Sequence, residues 1–316
     1  MATSLAGASA GLARRRRISR QAIRENVEGW LFTSPFTIGF LVFTLGPFVA
    51  SAVLAFTKWS IVDTAQFVGL DNFRVAFFDD PLVWHSLKVT TTYAVVGVPL
   101  QIVIGFFVAL LLNARIRGLE VYRTIYYLPA VLSGVAVALM WKWIFSAEWG
   151  IINLLLSYVG IEGPAWLNDP AWALPSLITM SLWHIGGGMV IYLAGLQGIP
   201  TDLYEAAEVD GAGFLPKLLK ITVPMMTPVL FFNLVMGLIG SLQTFTQAFI
   251  MTNGGPENAT LFYMLYLYRR AFIDFRMGFA SALAWILFVY ILALTLLVFR
   301  SGRSWVYYEG EIKGRR

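Results

Sequence analysis

The sequence contains no cysteine and only two histidines, His85 and His184. Disulfide frameworks, thiolate metal sites and cysteine nucleophiles are thereby excluded. A metal or proton-relay site built from several histidines is nearly excluded too. Charge is also scarce: Asp, Glu, Lys and Arg make up 13% of the 316 residues, where soluble domains carry about 25%. Apolar residues fill the gap at 58%, and the mean hydropathy is +0.70. Disorder and most soluble enzymes do not have this composition. It fits an integral membrane protein, and the long Leu-, Phe- and Val-rich runs fit helices. A β-barrel would show short alternating segments, and none appear. The expected fold is therefore all-α, a polytopic membrane bundle, with no metal or cofactor held by the chain itself.

Six runs are long and apolar enough to span: Trp30–Phe56, Val89–Leu112, Ile125–Phe145, Ala173–Leu196, Val223–Ile250 and Met277–Phe299. Their flanks set the orientation. Arg14, Arg15, Arg16, Arg17, Arg20 and Arg24 precede the first run. With that end cytoplasmic, six spans return the C-terminus to the cytoplasm. The inside then holds 16 of the 23 Lys and Arg, and acidic residues split evenly. The basic pI of 9.4 is thus a topology signal, with the arginines placed to clamp anionic lipid. Nucleic-acid binding has no supporting fold. The first apolar run is too long for a signal peptide and lacks a cleavage site after it, so it is expected to be retained. The expected layout is a basic cytoplasmic segment over 1–29, a membrane domain over 30–300 and a cytoplasmic tail over 301–316.

Outside the spans, residues 57–88 are long for a bare connection. Gly69-Leu70-Asp71-Asn72-Phe73 and the apolar residues after it predict a turn and a short interfacial helix. Asp79, Asp80 and Pro81 are expected to end that helix. Trp141, Trp143, Trp149, Trp166 and Trp172 form an aromatic belt at one interface. Arg269, Arg270 and Arg276 read as interface anchors.

Asp and Glu are absent from all six runs. Ion-coupled carriers usually place such groups at mid-membrane, and an embedded hydrolase would need a general acid and base. The polar groups that remain are neutral. The fourth run carries His184 beside Gly186, Gly187 and Gly188. The fifth carries Gln243, Thr244 and Gln247. Read as one helix, Gln243 and Gln247 share a face, with Thr244 about 100° round. These four polar residues are substrate-path candidates for a neutral polyhydroxylated ligand. Hydrogen-bonded glue between helices explains them equally well.

The most specific pattern lies over 197–223. Pro200-Thr201-Asp202 predicts a capped helix start. Glu205-Ala206-Ala207-Glu208-Val209 continues the helix, and Asp210-Gly211 breaks it. A second short helix is expected over Leu215–Lys220, and Pro224 should open the next span. Two short helices joined by an Asp-Gly turn would make a compact knob.

This string resembles the EAA loop of permease subunits from binding-protein-dependent ABC importers. The match covers Glu205, Ala206, Ala207, Asp210, Gly211, Ala212, Ile221 and Pro224, with Pro216 as a departure. Phe67-Val68-Gly69-Leu70-Asp71-Asn72-Phe73, Tyr127-Leu128-Pro129 and Thr252-Asn253-Gly254-Gly255-Pro256 extend the likeness. Over roughly 30–300 the chain resembles the carbohydrate-uptake, maltose/glycerol-phosphate type, of the first-permease kind. The resemblance implies a non-enzymatic subunit forming half of a heterodimeric pore in a prokaryotic inner membrane. It implies four partners and a cargo: a second permease, two ATPase subunits that hold ATP and Mg, an extracytoplasmic sugar-binding protein, and a sugar. It also implies that Glu205–Ala212 docks on an ATPase. A glycerol-phosphate importer is the nearer alternative, and an ion-coupled secondary carrier the more distant one.

Overall fold

The computed structural model describes residues 20–114 and 117–307. The arginine run Arg14–Arg17 and the end of the tail, 308–316, lie outside the described residues. The chain divides into two compact units, Met1–Val53 and Leu54–Arg316.

In the first unit, α1 (Arg20–Phe40) passes through a π-helical stretch, Leu41–Leu45, into α2 (Gly46–Leu54). Two prolines are absorbed along the way. Pro35 has no N–H for the Leu31 carbonyl, and the Ser34 hydroxyl donates to that carbonyl at 2.8 Å instead. The π turn just before Pro47 adds a residue, and the Gly46 N–H reaches back to Leu41 O. Trp30, Phe32 and Phe36 are all exposed. A helix apolar all round suits lipid or a second subunit.

The second unit opens with a small hairpin. β1 (Thr57–Lys58) pairs antiparallel with β2 (Gln66–Phe67). Each strand is only two residues long, too short for a period-two pattern to mark it in the sequence. The expected short helix is present as α3 (Asp71–Arg74), continued by a π turn over Val75–Asp79. The Asn72 amide donates to Ala55 O at 2.9 Å and to Thr57 O at 2.8 Å, pinning helix to hairpin.

The second membrane helix, α4 (Pro81–Leu112), begins well before Val89. Asp80 caps it by accepting from Leu82 N at 3.1 Å, and Pro81 sits in its first turn. Asp80 and Pro81 therefore start this helix as well as ending the previous one. The third expected span is broken instead of straight: α5 (Leu119–Val131) and α6 (Gly134–Ile144) meet at 100°. Pro129, an extended Leu132 and Gly134 make the corner. After α7 (Ile151–Tyr158) comes α8 (Pro170–Ser181), capped by Asp169. A single 3₁₀ turn, Leu182–His184, bends it by 46° into α9 (Gly186–Gln197). The three glycines thus open a helix. A Cβ on Gly186 would strike the Tyr126 carbonyl, so only glycine lets α9 start there.

The chain continues through α10 (Thr201–Val209), α11 (Phe214–Lys217), a π turn over Leu218–Thr222, and α12 (Val223–Leu242). A π turn at Ala248–Thr252, α13 (Tyr263–Tyr268), a further π turn at Arg269–Ile273 and α14 (Met277–Trp305) complete it. Among the described residues, four stretches are continuous and long enough to cross a membrane: Arg24–Leu54, Pro81–Leu112, Phe214–Leu242 and Met277–Trp305. With the two bent pairs there are up to six.

α4 runs through both main cores. Its first half packs Tyr93 with Leu177, Met180, Phe262, Tyr263 and Leu283. Its second half packs Val108 and Leu112 with Met189, Tyr192, Leu196 and Met226.

Candidate functional site

The Glu-Ala-Ala helix stands out from the body of the molecule. α10 is built from good helix formers, and Glu205, Ala206, Glu208 and Val209 are exposed. Its start departs from expectation. Pro200 is the capping residue, and neither Thr201 nor Asp202 supplies a side-chain cap. Its end follows the expected chemistry closely. Gly211 has φ +76°, its N–H reaches Glu208 O at 2.9 Å, and the Ala212 N–H reaches Ala207 O at 2.8 Å. This reciprocal pair closes the helix in the left-handed turn that glycine tolerates best. A Cβ on Gly211 would meet nothing within 4 Å. Backbone conformation alone therefore demands glycine there.

No separate second short helix follows. α11 runs without a break into α12, so Pro224 lies inside a continuous Phe214–Leu242 helix. The π turn before Pro224 removes the clash that would otherwise end the helix. Pro216 sits in the first turn of α11, where a missing N–H costs little. Two contacts brace α10 against this continuous helix. Lys217 Nζ lies 2.8 Å from Glu208 Oε1, and the Tyr204 and Thr222 hydroxyls are 2.9 Å apart. Hydrogen bonding and positive charge from Lys217 hold the Glu208 carboxyl below the usual carboxylate range. Glu205 has no side-chain partner among the described residues. Val209 is 90% exposed and Phe214 75%, which gives the braced helix an apolar tip of the kind that docks on another protein.

The polar candidates of the membrane region lie elsewhere. α12 ends at Leu242, so Gln243 and Gln247 are not on one helical face. Gln243 turns outward and donates to Ile239 O at 3.0 Å. The break sends the chain back inward. Thr244 and Gln247, with His184, Tyr93, Gln101, Ser181 and Ser241, line a cavity of about 340 Å³. Three of the four expected residues are thus brought together, and Gln243 is not. Gln101 Nε2 donates to Ser181 Oγ at 2.9 Å. Gly237 lets α12 press onto Val98 of α4, where a Cβ would stand 2.8 Å from Val98 Cγ1. Gly240 leaves its side of the cavity open. Apart from His184 the lining is neutral and carries no carboxylate, Lys or Arg. Tyr93 and Gln101 were not singled out from the sequence. Gln101 follows Pro99 within a long apolar run, and that isolated amide was the available signal.

What holds Thr244 and Gln247 in place is an outer scaffold. Phe245 stacks on Phe249 at 5.2 Å and meets Tyr268 at 5.1 Å. Tyr268 belongs to α13, and α13 is stitched to α4. The Tyr263 N–H donates to Thr90 Oγ1 at 2.8 Å, and Arg270 reaches Asp80 at 3.2 Å. Asp80 also accepts from the Tyr266 hydroxyl. Arg270 further pairs with Asp274 at 2.8 Å. Arg270 is therefore the centre of a polar cluster, not a free interface anchor.

Residues 101–304 match the family described as the binding-protein-dependent transport system inner membrane component. The chain belongs to this family. The matched region includes α10, its turn and most of the cavity lining, and a member is a transport component and not an enzyme. The permease also has close full-length relatives. The probable ABC transporter permease protein YesP of Bacillus subtilis (strain 168) is 46% identical over 93% of this chain and 96% of its own. The lactose transport system permease protein LacF of Rhizobium radiobacter is 34% identical over 90% of this chain and 98% of its own. Among solved structures, one chain of a bacterial alginate ABC transporter superposes with a TM-score of 0.80 at 25% identity. It covers 90% of this permease and 96% of that chain. That structure is in complex with an alginate pentasaccharide-bound periplasmic protein. Family and helices together make this permease a multi-pass membrane protein.

Proposed function

We propose that this permease is one half of a heterodimeric pathway in an ATP-driven importer of neutral sugars or oligosaccharides. It would sit in a prokaryotic inner membrane with both termini in the cytoplasm. Its partners are a second, different permease, two ATPase subunits carrying ATP and Mg, and an extracytoplasmic sugar-binding protein. The observation that carries the proposal is α10. It is an exposed helix bearing Glu205, Ala206 and Ala207, closed at Asp210-Gly211-Ala212 and braced onto a membrane helix.

The steps follow from that geometry. The ATPase cleft grips Glu205–Ala212. Because Lys217 and Thr222 tie α10 to a helix continuous with α12, movement of the knob moves α12. α12 supplies Gly237, Gly240 and Ser241 to the 340 Å³ cavity, so the cavity changes with it. Nucleotide and binding protein bias two states of the pathway. A cavity walled by amides and hydroxyls hydrogen-bonds sugar hydroxyls without the charge that a phosphate would need. That favours a neutral sugar over a glycerol phosphate. Energy supplied at α10 also accounts for spans without coupling carboxylates.

The test is purification of the permease in mild detergent from native membranes, with partners weighed by mass spectrometry and ATP hydrolysis assayed. An ATPase and a second permease should co-purify, and the ATPase should be held less tightly with Glu205→Arg or Gly211→Val. A permease purifying alone, with no ATPase activity, would overturn the reading.

A further inference from the structure

One wall of the cavity is a short helical turn whose last carbonyls need partners from elsewhere. Beyond the break in α12 the chain coils again over 246–252, closing with the π turn at Ala248–Thr252. Gln247 lies at the start of this coil and lines the cavity. Asn253 follows with φ +47°, so the helical path stops there. The last carbonyls of a helix have no N–H of their own helix to meet. Two cations from other elements meet them here. Lys142 Nζ of α6 donates to Ile250 O at 3.1 Å. Arg269, at the start of the π turn after α13, donates from Nη2 to the Asn253 carbonyl, and the same nitrogen lies 3.4 Å from Asn253 Oδ1. Gly254 has φ +81°, and a Cβ there would stand 3.2 Å from that nitrogen. Glycine therefore makes room for the guanidinium. Positive charge at a helix C-terminus also complements the negative end of the helix dipole.

Both cations stand on packed supports. Trp141 packs on Phe145 at 5.1 Å and stands edge-on to Trp183 at 6.1 Å. Trp183 precedes His184, so α6 touches both the bend that carries His184 and the turn that carries Gln247. Arg269 follows Tyr268, whose ring meets Phe249 of the turn at 5.6 Å. The Thr252 and Thr260 hydroxyls add a pair at 2.7 Å. Neither Lys142 nor Arg269 has a carboxylate partner among the described residues, and neither lines the cavity. Their charge falls on the carbonyls that end the turn. A π turn holds one residue more than an α turn, so relaxing it to α geometry would swing Gln247 by about 100° relative to the residues beyond it. What holds the far end of the turn thus also sets where the Gln247 amide points.

We propose that Lys142 and Arg269 are positioning residues for the cargo: they cap the 246–252 turn and so aim the Gln247 amide into the cavity, without touching the sugar themselves. The inference rests on the importer reading above and adds to it two residues outside the cavity that set cargo affinity.

The experiment uses the complete transporter and its binding protein in proteoliposomes. Uptake is measured against sugar concentration for Lys142→Met, Lys142→Arg, Arg269→Met and Gln247→Ala, and for each methionine change combined with Gln247→Ala. Lys142→Met should raise the concentration for half-maximal uptake about fivefold, as for one lost hydrogen-bonding group, with the plateau rate kept. Arg269→Met should move it in the same direction. Lys142→Arg, which keeps the charge and the donor, should behave as wild type. On the Gln247→Ala background either methionine change should add less than about twofold, because no amide is left to aim. Because the permease has no cysteine, Gln247→Cys gives a second readout. Sugar should protect this thiol from a small polar alkylating reagent, and Lys142→Met should abolish the protection. Full additivity of Lys142→Met with Gln247→Ala would overturn the inference, and so would protection that survives Lys142→Met. A loss confined to a phosphorylated or acidic cargo would overturn it as well, since Lys142 would then be a direct ligand. A wild-type transporter with no ATP-driven sugar uptake fails the importer reading instead, so the two failures are told apart.

Discussion

The α10 knob and the 340 Å³ cavity are built by opposite strategies. The knob is contiguous: Glu205 to Ala212 form one helix and its turn, and every defining contact spans fewer than twenty residues. It is exposed, charged and apolar-tipped. The cavity is assembled from α4, the α8–α9 bend, α12 and the chain beyond it, with residues from Tyr93 to Gln247. It is neutral and inward-facing. Under the proposed function, the difference separates where energy would enter from where cargo would pass. It also predicts that the two regions fail differently when altered.

The largest effect should come from the knob. Gly211→Val places a β-branched residue at φ +76°, a conformation that costs roughly 1–2 kcal/mol or more. Sugar uptake should vanish while the subunit still inserts and purifies. Wild-type uptake would remove the coupling role and erase the contrast.

Next comes the scaffold that serves the cavity. Asp80→Ala removes the α4 cap, leaves the Tyr266 hydroxyl without its acceptor and leaves Arg270 with Asp274 as its one carboxylate. The Asp80 side chain is 11% exposed and Arg270 24%, so the loss should be about 2–4 kcal/mol. A thermal melt of the purified transporter should fall by several degrees. An unchanged melt would mean that α13 holds its place without this cluster.

Smaller effects should come from the cavity wall. Thr244→Val or Gln101→Ala deletes one hydrogen-bonding group, worth about 1 kcal/mol. That corresponds to roughly a fivefold rise in the sugar concentration for half-maximal uptake, with basal ATP hydrolysis unchanged. Gln243→Ala, outside the cavity, should leave uptake alone. Equal effects from Gln243 and Thr244 would make both of them helix glue.

The smallest effect concerns Glu208. Lys217 lowers its pKa in the folded protein, so its contribution is fully present above the ordinary carboxylate pKa. It fades as pH falls through the lowered folded value. Glu208→Gln should lower stability slightly at pH 7, where the pair is fully formed, and converge with wild type in acid, flattening the acid limb below about pH 4.5. Unchanged stability at neutral pH would show that the pair does not brace α10.

The same contrast explains what the sequence could tell. The helix class, the apolar runs and the α10–Gly211 turn rest on local periodicity, glycine conformation and short spacing, and all were legible. The breaks were not. Gln243 reads as mid-helix because its neighbours are apolar, yet α12 stops at Leu242. The α5–α6 corner reads as one span for the same reason. Asp80 and Arg270 lie 190 residues apart, and no local pattern joins them. Tyr93 and Gln101 gain meaning only when α12 packs on α4 through Gly237. Proline positions were legible, but the π turns that let Pro47 and Pro224 stay inside helices were not.

The central claim is that energy enters at α10 and acts on a separate cavity. Its most direct test is ATP hydrolysis and sugar uptake measured together in proteoliposomes for Gly211→Val and Thr244→Val. The account predicts that Gly211→Val loses uptake at every sugar concentration, while Thr244→Val recovers full uptake at high sugar. Uptake by Gly211→Val that is likewise rescued by high sugar would contradict it.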